Sequence, residues 1–329
     1  MPALVQFQKN PPAPARISAT GTLRQLAFPA LGTTCEVQYV GPRDGPAAAA
    51  FELATINWVQ AFEAKYSRFI PASLVSRINA AAGRAWVAVD AEMEQMFQIC
   101  DSLHTMTQGV LDPTALPLIQ LWNWKAAHPL IPSAEQINTT RQLVGWSKVQ
   151  REPGKVFLPV AGMALDFGGF GKEYAVDIVA GIASNHGITD VLVDFGHDLR
   201  AFGAPPGRPA WHIGLEDPNQ PGKTAGSIAI TNQGVASSGD YVRCFKADGR
   251  RYGHILDPRT GSPVNNGCTQ ATVIAGTCLQ AGVLSTTAFV LGLQAGLEFI
   301  RAFPGTEGII SSGDKRAQTP GFFNYVVSA

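Results

Sequence analysis

Leu165–Gly203 reads LDFGGFGKEYAVDIVAGIASNHGITDVLVDFGHDLRAFG, and the architecture of the whole chain turns on it. An apolar run ends at Asp166 and glycines follow at Gly168, Gly169 and Gly171. Ala175, Val179, Ile182 and Ala183 then recur at helical spacing before a second apolar run, Val191–Val193. That order predicts strand, tight glycine turn, helix and strand. Such a turn aims backbone N–H groups at the start of a helix, where unpaired donors and the helix dipole favour an anion such as a phosphate. Both apolar runs close in Asp-Phe-Gly, at Asp166 and at Asp194, which sets carboxylates at element ends beside glycine turns. The glycines match neither G-x-G-x-x-G nor a P-loop, so the pattern also fits a connection that needs glycine only for tight geometry.

Outward from this stretch, composition narrows the function classes. The 329 residues suffice for a large core in one or two domains. Hydrophobic residues make up 46% and charged residues 15%, a balance that excludes a disordered chain. Lys+Arg and Asp+Glu stand at 25 each, so no net field draws in nucleic acid or an anionic membrane. A phosphate-bearing ligand must then be held by local geometry. The opening MPALVQFQKNPPAPARISAT has no basic segment followed by an apolar core, and no later run is long enough to span a bilayer. These features predict a cytoplasmic protein without an integral membrane segment, or a periplasmic one if an export signal has been removed. Cys35, Cys100, Cys244, Cys268 and Cys278 are scattered and lack C-x-x-C spacing, so neither structural zinc nor a disulfide framework is expected.

The Pro- and Ala-rich residues 1–24 read as a flexible arm, and residues 25–329 as a single domain. The first ordered strand is expected at Thr33–Val40, where Cys35, Val37 and Tyr39 alternate with polar residues. Helices are expected at Ala47–Ala64, at Ser73–Ala81 with Ser73 as cap, from Asp90 towards Gly109, and within Pro132–Val144, where Ser133 and Gln136 have capping-box spacing. Gly109–Trp124 is too broken by proline for one regular element and reads as a packed loop. The second half offers short strands at Trp211–Leu215, Ser227–Ile230, Val235–Ser238, Tyr252–Leu256 and Ala271–Ala275. Helices at Thr277–Gly292 and Gln294–Phe303 and a closing strand at Phe322–Val327 complete the pattern. The predicted class is α+β, with mixed, largely antiparallel sheets and packed helices.

Chemistry-bearing groups concentrate in Gly234–Thr260, GVASSGDYVRCFKADGRRYGHILDPRT. His254 falls at a strand end three residues before Asp257, in a turn that also carries Arg259. By itself a strand histidine suits a structural role as well as a catalytic one, and an aspartate before proline is a common turn former. Together the segments resemble the ApbE-type flavin transferases, from Phe28 to the end of the chain. The resemblance rests on ALGTT (Ala30–Thr34), SRIN (Ser76–Asn79), LDPT with ALPLIQLW (Leu111–Trp122), LDFGG with FGK (Leu165–Lys172) and VDFG with HDLRAFG (Val193–Gly203). SSGDY (Ser237–Tyr241), HILDPRTG (His254–Gly261) and LSTTAFVLG (Leu284–Gly292) extend it.

The resemblance implies an ApbE-like fold with an FAD cleft between two lobes, and transfer of FMN from FAD to a threonine hydroxyl of a target flavoprotein with release of AMP. It implies His254 and Asp257 as catalytic residues. Lys172 and Arg259 are implied at the phosphates, and Ser237, Ser238, Gly239, Asp240 and Tyr241 at the flavin nucleotide. Asn79, Asp112, Pro113 and Thr114 are implied along the cleft, and Asp177 at the nucleotide. A hard cation, Mg2+ or Mn2+, is implied at the Gly171 carbonyl and Thr286. The family's aspartate at that cation corresponds to Gly282, a departure that removes the main protein charge. The turn also departs at His197, where glycine is usual, and at Glu173, where a small residue is usual. Two readings of Glu173 stand: it replaces the missing carboxylate as a metal ligand, or it is a solvated glutamate favoured in a first helical turn by the dipole. With the metal site altered, an FAD carrier without transfer activity and a diphosphatase that splits FAD into FMN and AMP are the alternative functions.

Overall fold

A computed structural model describes residues 15–41, 45–241, 243–247 and 249–327. Its frame is a nine-stranded sheet in the order Arg16–Thr20, Leu23–Ala30, Thr33–Val40, Val191–Phe195, Asp198–Phe202, Gly234–Gly239, Cys268–Ala275, Glu307–Ser312 and Lys315–Gln318. Every neighbouring pair is antiparallel. Eight α-helices accompany it among the described residues: α1 (Pro46–Tyr66), α2 (Leu74–Ala80), α3 (Ala91–Met106), α4 (Leu116–Trp122), α5 (Ala134–Arg141), α6 (Gly171–Asn185), α7 (Cys278–Leu291) and α8 (Leu293–Arg301).

Strand periodicity assigns the two faces of the sheet. In Thr33–Val40 the alternating Cys35, Val37 and Tyr39 are buried with Phe51 of α1 and Val176 and Val179 of α6 in the largest apolar cluster. In Gly234–Gly239, Ala236 joins Leu284, Ala288 and Phe289 of α7, whereas Val235 joins Trp211, Ile213, Ile228 and Phe322 on the opposite side. α7 therefore lies inside the molecule, and its apolar residues run around nearly the whole helix rather than along one stripe.

Most of the helix ends follow their sequence signals. Ser73 accepts from the Ser76 N–H, Asp90 from the Met93 N–H, and Ser133 and Gln136 close a reciprocal capping box at α5. α7 is capped twice. Thr277 accepts from the Gln280 N–H, and both carboxylate oxygens of Asp177, reaching across from α6, accept from the Cys278 and Leu279 N–H groups at 2.9 Å.

Five expectations are corrected. The first leg of the deciding stretch is not a strand: Met163, Leu165 and Phe167 point into the core from an irregular segment. Its backbone is satisfied by the Asn79 side chain, which accepts from the Leu165 N–H at 2.7 Å and donates to the Leu165 carbonyl at 2.9 Å, and by the Pro113 carbonyl. With no ladder on that leg, α6 is not a parallel crossover and the sheet stays antiparallel. Ordered structure begins before Thr33: Arg16–Thr20 and Leu23–Ala30 form a hairpin within and beyond the segment expected to be an arm, of which residues 1–14 lie outside the described residues. The proline-broken loop holds α4, whose Pro117 occupies a first-turn position where its missing N–H costs nothing. Tyr252–Leu256 is divided at His254, and Phe322–Val327 is a 3-10 turn followed by the two-residue strand Val326–Val327.

Candidate functional site

His254 leaves the short hairpin formed by Cys244–Ala247 and Arg250–Gly253. Gly253 makes the approach possible, because a Cβ there would lie 2.5 Å from that of Asp240. The His254 N–H and its ring Nδ1 both reach the Arg243 carbonyl, at 3.0 and 3.2 Å. A carbonyl only accepts, so Nδ1 carries the proton and Nε2 keeps its lone pair. Trp124 lies against the imidazole with ring centroids 5.8 Å apart. Burial foremost, then the Arg243 and Lys125 charges, lowers the His254 pKa to about 4. The side chain is a neutral base of fixed tautomer.

Asp257 does not touch this imidazole. Its carboxylate grips the Arg259 guanidinium in a bidentate pair, at 2.9 Å on each arm, and also accepts from the Arg259 N–H. The Arg243 carbonyl, not Asp257, orients the imidazole. Around this turn, the Trp122 indole donates to the Gly261 carbonyl at 2.8 Å, and Trp122 and Phe245 each stack on Tyr252. A cavity of about 430 Å³ brings Pro258 and Arg259 beside Asp112 and Gly145.

Asp112 and Thr114 hold the wall of that cavity. The Asp112 carboxylate accepts from the Thr114 N–H and hydroxyl and from the Trp146 N–H, and the Thr114 hydroxyl accepts from Gly145. Pro113 and Asn79 both fasten the backbone that leads to the glycine turn. Asp166 caps that turn through the Gly168 N–H and pairs with Arg68.

At the start of α6 no side chain caps the helix. Lys172 pairs with Asp198 from the neighbouring strand. Asp177, implied at the nucleotide, spends both oxygens on the α7 N-terminus, and burial raises its pKa. Glu173 is only 9% exposed, so the reading of a solvated glutamate does not hold. Its Oε2 has no hydrogen-bond partner among the described residues. A Cβ at Gly282 would stand 2.7 Å from Glu173 Cγ and 3.1 Å from Oε1, so the glutamate fills the room a side chain on α7 would take. Thr286 lies one helical turn further on the same face of α7, where its hydroxyl meets that of Ser238 at 2.8 Å. An orphaned buried carboxylate oxygen in this cradle fits a cation.

The serine–glycine–aspartate stretch is not one surface. Period two sends Ser238 towards α7, where it meets Ser285 and Thr286, and sends Ser237 to the other face, where it meets Thr272 at 2.7 Å. Beyond Gly239, Tyr241 donates to Glu216 and Asp240 pairs with Arg251. The structure thus gathers Asp257 and Arg259 with Asp112, Pro113 and Thr114 at the cavity wall before α4, sets His254 against Trp124 beyond the other end of that helix, and brings Glu173, Ser238 and Thr286, with Gly171 at the start of α6, to the α6–α7 contact. Arg243, Trp124 and Asp198 join these groups beyond the residues assigned from the sequence, and Ser285, a hydroxylated residue of Thr277–Gly292, meets Ser238. The first acts through its backbone, which no sequence pattern marks. Asp198 and Ser285 stand inside quoted motifs and needed only their neighbours.

An open antiparallel sheet with helices packed on it and one helix buried at its centre is an α+β fold. The chain belongs to the ApbE family, whose model matches residues 31–310. It is 30% identical over 286 residues to a Haemophilus influenzae protein named FAD:protein FMN transferase, covering 83% of this chain and 82% of that one. A Vibrio cholerae protein of the same name is 27% identical over 280 residues, 84% of each. Among solved structures, the ApbE protein of Thermotoga maritima superposes with a TM-score of 0.83 at 29% identity, over 93% of this chain and all of that one. The apo flavinyl transferase ApbE of Pseudomonas stutzeri gives 0.82 at 28% identity, over 96% and 98%.

Proposed function

We propose that this chain is an FAD:protein FMN transferase that moves FMN from FAD to a threonine hydroxyl of an acceptor flavoprotein. The observation that carries the reading is His254, whose Nδ1 is committed to the Arg243 carbonyl so that Nε2 is free to take a proton. The threonine oxygen bonds to the FMN-side phosphorus as that phosphorus parts from the bridging oxygen. The threonine proton passes to His254 Nε2, and AMP leaves with the bridging oxygen. Asp257 serves by holding Arg259, and Arg259 and Lys172 meet the phosphates, each pre-set by a carboxylate partner. Asn79, Asp112, Pro113 and Thr114 keep the cleft wall in place. Ser238 and Gly239, with Asp240 and Tyr241 just beyond the strand, are assigned to the flavin nucleotide, Ser237 backs them from the opposite face through Thr272, and Asp177 supports the strand by anchoring α7.

A divalent cation, Mg2+ or Mn2+, would be held by the Gly171 carbonyl, the Thr286 hydroxyl and the Glu173 carboxylate, and would supply neutralisation of pyrophosphate charge. Among the described residues no helix is long and apolar enough to cross a membrane, and the balanced charge of 25 Lys+Arg against 25 Asp+Glu favours a flavoprotein acceptor over nucleic acid. The test incubates the chain with FAD, Mg2+ and a flavin-accepting domain. The expected result is a fluorescent covalent adduct with one AMP per adduct, lost in His254→Ala. AMP formed equally without the acceptor would identify a diphosphatase, and no AMP under any condition would identify a carrier.

A further inference from the structure

We propose that Glu173 and Gly282 form one exchangeable unit: α6 supplies the carboxylate of a divalent-cation site at the α6–α7 contact, and the glycine on α7 admits it. The proposal rests on the transferase reading and deepens it. A carboxylate in a first helical turn ordinarily reaches solvent, yet Glu173 is buried and its Oε2 is unpartnered among the described residues. Burying an ionised carboxylate without a counter-charge is strongly unfavourable. The adjacent ammonium of Lys172 is already paired with Asp198.

The space is as specific as the charge. Any side chain at position 282 would collide with Glu173, so the two positions cannot both carry carboxylates in this packing. The groups that share the locality, Thr286, Ser238 and Ser285, offer hydroxyl oxygens. Oxygen donors around one carboxylate select a hard cation, and one carboxylate is the complement expected where substrate phosphates complete the shell. Binding is therefore weak for the cation alone and tight once FAD is present.

The test uses the full chain with Mn2+, followed by electron paramagnetic resonance of free Mn2+ with and without FAD, and by thermal melting in EDTA or Mn2+. Glu173→Gln is expected to weaken Mn2+ binding by about tenfold or more. It should also raise the melting temperature in EDTA while abolishing the Mn2+-induced rise, a reversal that a purely structural glutamate would not give. Gly282→Asp alone should melt lower through the collision, and the double variant Glu173→Ala with Gly282→Asp should regain Mn2+ affinity. Unchanged Mn2+ affinity in Glu173→Gln, or a double variant that stays folded and does not recover binding, overturns the proposal. AMP release is measured in parallel. Glu173-dependent Mn2+ binding without AMP release would sink the transferase reading alone, and AMP release by a chain whose Mn2+ affinity is unchanged in Glu173→Gln would sink the cation site alone.

Discussion

At the scale of the residue, His254 is a base whose protonation is set by its surroundings rather than by its own chemistry. With its pKa lowered to about 4, the native imidazole stays neutral where an ordinary histidine, near 6.5, would begin to charge. The acid limb of kcat/KM for FMN transfer is therefore expected near pH 4 to 5, with no break near 6.5, and a break at 6.5 in the free enzyme would contradict the assignment. The same shift bears on stability. Between about 6.5 and 4 the unfolded chain binds a proton at this site that the native chain refuses, so stability falls as pH drops through that window. The groups that face the ring are Arg243, Lys125 and Trp124, and both charges act in the same direction as burial. The three-residue spacing from His254 to Asp257 does not say whether the carboxylate turns towards the imidazole or towards the guanidinium two residues on; in the structure it takes the guanidinium.

At the scale of the element, turns and caps were the legible part and contacts between elements were not. Ser73, Asp90, Ser133 and Thr277 announce their helices by residue type, since each short polar side chain meets an N–H three residues away. The Leu165 segment misleads because its alternation is that of a strand while its hydrogen bonds go to Asn79 and Pro113, far away in sequence. Gly196 and His197 show the reverse case. They form the two-residue turn between Val191–Phe195 and Asp198–Phe202 with φ of 62° and 72°, the pair of positive values a type I′ turn requires. A histidine held there is strained by about 1 kcal/mol, partly offset because glycine loosens the unfolded chain. His197→Gly is expected to raise the urea midpoint at unchanged m, a net gain of about 0.5 kcal/mol, and a lowered midpoint would mean that the imidazole makes a stabilising contact.

At the scale of the whole molecule, the α+β class and the antiparallel second half were legible from strand length and turn composition. The division of the site was not. Ser237 and Ser238 adjoin in sequence, yet a strand with cores on both sides turns Ser237 to Thr272 and Ser238 to Ser285 and Thr286. The Glu173–Gly282 contact spans helices more than a hundred positions apart, so the sequence could pose the question of a displaced carboxylate but not answer it.

One feature of the sheet also governs how the protein behaves in company. It is open, and one of its two edge strands, Arg16–Thr20, is exposed along its whole length while shielding Leu23–Ala30 behind it. That inner strand carries Leu26 and Phe28 in the core and would otherwise present a long unpaired ladder to other molecules. Arg16–Thr20 is thus a guard rail whose value is colloidal more than energetic. Removing residues 1–22 is expected to leave a folded protein that self-associates through the bared edge, visible as concentration-dependent light scattering. A trimmed chain that stays monodisperse would show that the rail guards nothing.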